Sequence, residues 1–183
     1  SGDVALSWET VKFNYERGRM FTVDVMDDEE TQNVAFGRLA GEFMRNKVVP
    51  EIDAFRFAQY AGTAGISTTA GADLADGSAV LSAITAGMSK MDEDEVPQEG
   101  RLLFITPTLA RMVEALDTNK SREVLAGFSQ IIRVPQSRFY TAIDLYDGTT
   151  NGETAGGYVK NANAKIINFM IIEKSALLQY TKH

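Results

Sequence analysis

With 183 residues, 44% of them hydrophobic, the chain carries enough apolar side chain for one good core or two small ones, and 18 Lys and Arg against 25 Asp and Glu leave a net charge of -7. That balance opposes a broad phosphate-neutralising surface and makes specific nucleic-acid binding a poor first reading. No stretch reaches the roughly 18 unbroken apolar residues of a membrane span, and the absence of cysteine removes disulfides, thiolate metal sites and a cysteine nucleophile.

Along the chain, Ser1-Gly2-Asp3 has neither the basic region nor the apolar run of a signal peptide, so the expectation is a cytosolic protein. From Val11 to Val25 the residues alternate: Val11, Phe13 and Tyr15 are in phase, Glu16-Arg17-Gly18-Arg19 intervenes, and Phe21, Val23 and Val25 are in phase again. This predicts a β-hairpin turning at Gly18. A lone two-stranded ribbon is marginal in water, so the hairpin is expected to rest on something else, such as another subunit.

Asp27 and Glu30 have the spacing of a capping box, and the acidic run from Asp27 to Glu30 suits the positive end of a helix dipole. Phe36, Leu39, Ala40, Phe43 and Met44 then form one helical stripe, with Arg38, Glu42 and Arg45 opposite. Pro50 interrupts, yet Ile52, Phe55, Phe57 and Ala58 resume the pattern, which leaves a kinked continuation and a stop both open. Continued to Tyr60, the helix would run roughly 50 Å at about 1.5 Å per residue, long for a chain of this size. The apolar residues of its second half point in a different direction from those of the first, which predicts different partners for the two halves.

Residues 62 to 78 hold four glycines among Ala, Thr, Ser and Asp, the composition of a connection between two units. Val80, Leu81, Ile84, Met88 and Met91 predict a helix ending in the acidic loop Asp92 to Glu95. Arg101 to Ile105 reads as a buried strand, Thr106-Pro107 as the start of a helix with Leu109, Met112, Val113 and Leu116 on its apolar face. Asn119-Lys120-Ser121 reads as a polar loop. Further strands are expected at Ile131 to Val134 and Phe139 to Ile143, and an exposed hairpin or loop between Asp144 and Gly157. Ile166 to Ile172, the most hydrophobic run, is expected to be a central strand. Helices mixed with non-alternating strands predict an α+β fold or a mixed sheet.

Signs of chemistry are sparse. The only histidine, His183, is the final residue, a poor place for a triad or a metal ligand. No glycine-rich stretch carries the lysine and hydroxyl of a P-loop, and Gly62-Thr63-Ala64-Gly65 lacks the flanking strand of a dinucleotide site. Asp92-Glu93-Asp94-Glu95 lacks the alternating ligands and central glycine of a calcium loop and reads as a solvated turn. Arg38 with Glu42 and Asp53 with Arg56 read as surface pairs on the helix. No cofactor is expected. Among function classes, a small-molecule binding domain, or an enzyme that uses carboxylates instead of histidine, remains an alternative.

The stretch from Trp8 to Ala61 resembles the coat-protein family of tailed bacteriophages that shares the Hong Kong 97 fold. The likeness is carried by Arg17-Gly18-Arg19 with Phe21 and Asp24, by Asp27 to Thr31, and by Glu42-Phe43-Met44-Arg45 running on through Val48-Val49-Pro50-Glu51-Ile52-Asp53-Ala54-Phe55. A second block is Lys165 to His183, with Ile167-Asn168-Phe169 and Lys174-Ser175-Ala176. The resemblance implies an α+β chain in three parts: an extended hairpin loop over residues 1–27, a spine helix of the peripheral domain over 28–61, and a mixed α/β axial domain over 62–183. It also implies a chain trimmed at both ends relative to the family. The implied function is structural and not catalytic: a subunit of a phage or prophage capsid, assembled in the host cytoplasm into pentamers and hexamers around a genome. Its partners would be other copies of itself, with a scaffolding protein or segment. Trp8, Phe13, Tyr15, Arg17, Arg19 and Phe21 would be the intersubunit contacts, aromatics supplying area and arginines charge complementarity. A related shell enclosing cellular cargo is a further alternative.

Overall fold

The computed structural model describes residues 15–18, 20, 32–69 and 74–177. The chain divides into two compact units, Ser1–Glu42 and Phe43–His183. Most of the hairpin expected from Val11 to Val25, and the capping box at Asp27 and Glu30, lie outside the described residues; 15–18 and 20 are in no regular secondary structure.

In the first unit the described regular structure belongs to helix α1 (Gln32–Phe43). Its composition is weak for a helix. Gly37 and Gly41 each cost about 1 kcal/mol relative to alanine, and a side chain at either would meet nothing within 4 Å. The expected pair of Arg38 with Glu42 is present at 3.3 Å and exposed on both sides, so it contributes little.

The second unit opens with a π-helical turn, Met44–Val48, followed by α2 (Val49–Gly62). The backbone stays right-handed helical through Val48 and Val49, and the Val49 N–H donates to the Met44 carbonyl, five residues back. Pro50 resolves the choice between kink and stop. Lacking an N–H, it cannot serve the carbonyl four residues earlier, and its ring crowds that carbonyl. Widening the preceding turn from four- to five-residue spacing accommodates the ring without ending the helix.

The remainder comprises α3 (Gly77–Glu93), β1 (Arg101–Ile105), α4 (Pro107–Glu114), α5 (Asn119–Ala126), β2 (Gln130–Arg133), β3 (Ile143–Tyr146), β4 (Gly157–Lys160) and β5 (Phe169–Glu173). In the three-stranded sheet the order is β2-β1-β5, with β2 parallel and β5 antiparallel to β1. Ile166 to Ile172 therefore does not supply the central strand. The centre belongs to β1, and β5 begins only at Phe169 and lies at one end of the strand order. Hydrophobicity could not separate these two strands, because β5, though only partly buried, also packs apolar side chains against the cores on both faces of the sheet.

β1 divides its side chains between two cores, as the two-residue period of a strand requires. Leu103 and Ile105 join Val80, Leu81 and Ile84 of α3, Leu109, Ala110 and Val113 of α4, and Phe128; Phe169 and Ile171 of β5 pack against the same cluster. Phe104, with Ile132 and Met170, packs instead against Phe57, Val134, Phe139 and Ile167. Phe57 anchors this second core, its ring centroid 4.8 Å from that of Phe139 and 5.3 Å from that of Phe104, both edge-to-face.

Two local expectations need correction. Residues 119–121, read as a loop, open α5: the Thr118 hydroxyl oxygen accepts from the Ser121 N–H while the Thr118 N–H donates to the Ser121 hydroxyl oxygen, a reciprocal cap. Asn119, Lys120, Arg122 and Glu123 hide the helix because its apolar residues, Val124 and Leu125, come late. The strand expected at Phe139 to Ile143 starts at Ile143; Phe139 is wholly buried as a core plug, and Tyr140 makes a single bridge to Ile166. The acidic turn is solvated as expected, with Asp92 to Glu95 all exposed, and it also has an anchor. Arg101, 1% exposed, donates to the Val96 and Pro97 carbonyls and pairs with Asp92 at 2.7 Å, closing the connection from α3 to β1.

Candidate subunit interface

Of the six expected contact residues, Trp8, Phe13, Arg19 and Phe21 lie outside the described residues. Tyr15 and Arg17 are described and exposed, Tyr15 at 62%, and neighbouring Met20 is exposed as well.

Exposed apolar side chains also occur on the helices of each unit. Within the first unit, Phe36 and Leu39 sit three residues apart on α1, and both are exposed, Phe36 at 51%. Within the second unit, Met44 is 52% exposed, and Val49 and Ile52 are exposed too. The Val49 N–H donates to the Met44 carbonyl across the π turn, and Ile52 follows Val49 by three residues on α2, the spacing of neighbours on one side of a helix. The other face of α2 is consumed by its own unit: Ala54, Phe57 and Ala58 are buried. Ile52 belongs to one apolar series with Phe57 and Ala58, yet only the latter two enter the core. Val49 falls outside both apolar series, the one ending at Met44 and the one resuming at Ile52.

The polar groups nearby are engaged in holding the fold. Asp53 pairs with Arg138 at 3.0 Å, not with Arg56 as expected from helical spacing, and so ties α2 to the 3-10 turn Gln136–Arg138. The Tyr158 hydroxyl on β4 donates to the Ser137 carbonyl of that turn at 2.8 Å. Burial pushes the Tyr158 hydroxyl above its usual range, against the opposing pull of Arg138.

At the tip of the β3–β4 hairpin, Asp147 accepts from the Thr149 and Thr150 N–H groups, each at 2.7 Å, and from the Thr150 hydroxyl. The hydroxyl and then the amides of Thr150 and Thr149 hold its carboxyl well below the usual carboxylate range. These bonds organise a surface loop. Among the described residues, no group of three or more His, Asp or Glu comes together in a way that could hold a metal ion. No described helix is long and apolar enough to cross a membrane.

No family model matches this chain, no curated protein matches it, and no solved structure matches it.

Proposed function

We propose that the chain is a structural subunit of a phage or prophage capsid of the Hong Kong 97 type, assembling with copies of itself into a closed shell. The reading starts from the resemblance over Trp8 to Ala61 and Lys165 to His183. The observation that carries it further is the run of large apolar side chains left in water on helical segments: Phe36 and Leu39 on α1, and Met44, Val49 and Ile52 on the π turn and α2. Single exposed apolar residues are ordinary, but such residues recurring at helical spacing within each unit call for a cover. Burying a half-exposed side chain of this size stabilises association by about 1 to 2 kcal/mol, an increment multiplied over every repeated interface of a shell.

A capsid role also accounts for the glycines of α1. Gly37 and Gly41 weaken an exposed helix without relieving any clash within 4 Å, a cost that makes sense where another backbone approaches closely. Copies of the chain are the partners under this reading, with or without a scaffold, and the role requires no cofactor and no catalysis.

The test is to express the complete reading frame that contains this chain, then follow its association by sedimentation velocity and electron microscopy. Closed particles that lose their assembly on Phe36→Asp or Ile52→Asp substitution, while the variants keep native circular dichroism, are the expected result. A full-length protein that stays monomeric at every concentration, with or without co-expressed neighbouring genes, overturns the proposal. Particles containing nuclease-protected nucleic acid support a phage coat; particles filled with a folded protein cargo point to a cellular shell.

A further inference from the structure

We draw no further inference here: the strongest candidate, the side-chain cluster of Asp147 and Glu153 at the tip of the β3–β4 hairpin, is a pair of acidic residues already accepting hydrogen bonds from the loop's own Thr149, Thr150 and Asp147 donors, with no second observation that points to a ligand.

Discussion

Helices α1 and α2 have apolar residues at similar spacing but opposite fates. On α2, Ala54, Phe57 and Ala58 are buried within their own unit; on α1, Phe36 and Leu39 stay in water. The difference teaches that a helical apolar stripe reports a need for cover and is silent about who provides it. Substitutions should accordingly act on different quantities, folding for the buried face of α2 and association for Phe36 and Leu39 of α1.

The sharpest way to break that contrast is to truncate one aromatic in each helix. Phe57→Ala removes the ring that meets Phe104 and Phe139 edge-to-face, and should cost about 3 to 5 kcal/mol of folding stability. Phe36→Ala, at a half-exposed position, should change stability in the unassembled chain by no more than about 0.5 kcal/mol. Urea denaturation measures both. Comparable losses would mean that α1 has a cover within its own chain and would remove the main support for an intersubunit face.

A second comparison lies inside the folded unit. The N-terminus of α3 packs so tightly on α4 that a Cβ at Gly77 would collide with the Met112 carbonyl oxygen. Backbone cannot yield as a flexible side-chain end can, so Gly77→Ala should destabilise by about 1 to 3 kcal/mol. Gly37 and Gly41 of α1 have no such neighbour. Replacing either by alanine should stabilise the unassembled chain by about 0.5 to 1 kcal/mol through helix propensity. The same two substitutions should weaken particle formation if the glycine face meets a second copy. Thermal denaturation paired with sedimentation separates the effects, and improved stability with unimpaired assembly would show that the glycines do not mark a contact.

How far the fold could be read in advance depended on whether burial was local or supplied from elsewhere. The strand Arg101 to Ile105 and the helix after Pro107 were legible because their cues are local: an apolar run, then a proline at the first helical position. The capped start of α5 was legible in principle through Thr118 and Ser121, but its polar composition outweighed a signal of only two residues. The order of β1 and β5 was not legible, since pairing depends on residues nearly seventy positions apart in the chain, as in Leu103 with Ile171. The candidate interface was half legible: Phe36, Leu39, Met44 and Ile52 stood out as apolar, but which of them stay exposed depends on what Phe57 and Ala58 find to pack against.

The smallest expected effect concerns the β3–β4 hairpin tip, where order comes from hydrogen bonds and not from apolar burial. Asp147 is fully exposed, yet its carboxyl is held below the ordinary value of 3.8 by bonds from Thr150 and Thr149. Because the folded state favours the ionised form, the contribution of these bonds is complete above the unfolded value and disappears as pH falls through the lower folded one. The Thr149 and Thr150 amide resonances should therefore keep their positions at pH 3, where an unperturbed aspartate is mostly protonated. Asp147→Asn should shift both resonances at neutral pH and leave those of β1 unmoved, since the tip shares no core residue with that strand. Titration of the two amides with a midpoint at 3.8 would mean that the turn is held by its glycines and backbone geometry, without the carboxylate.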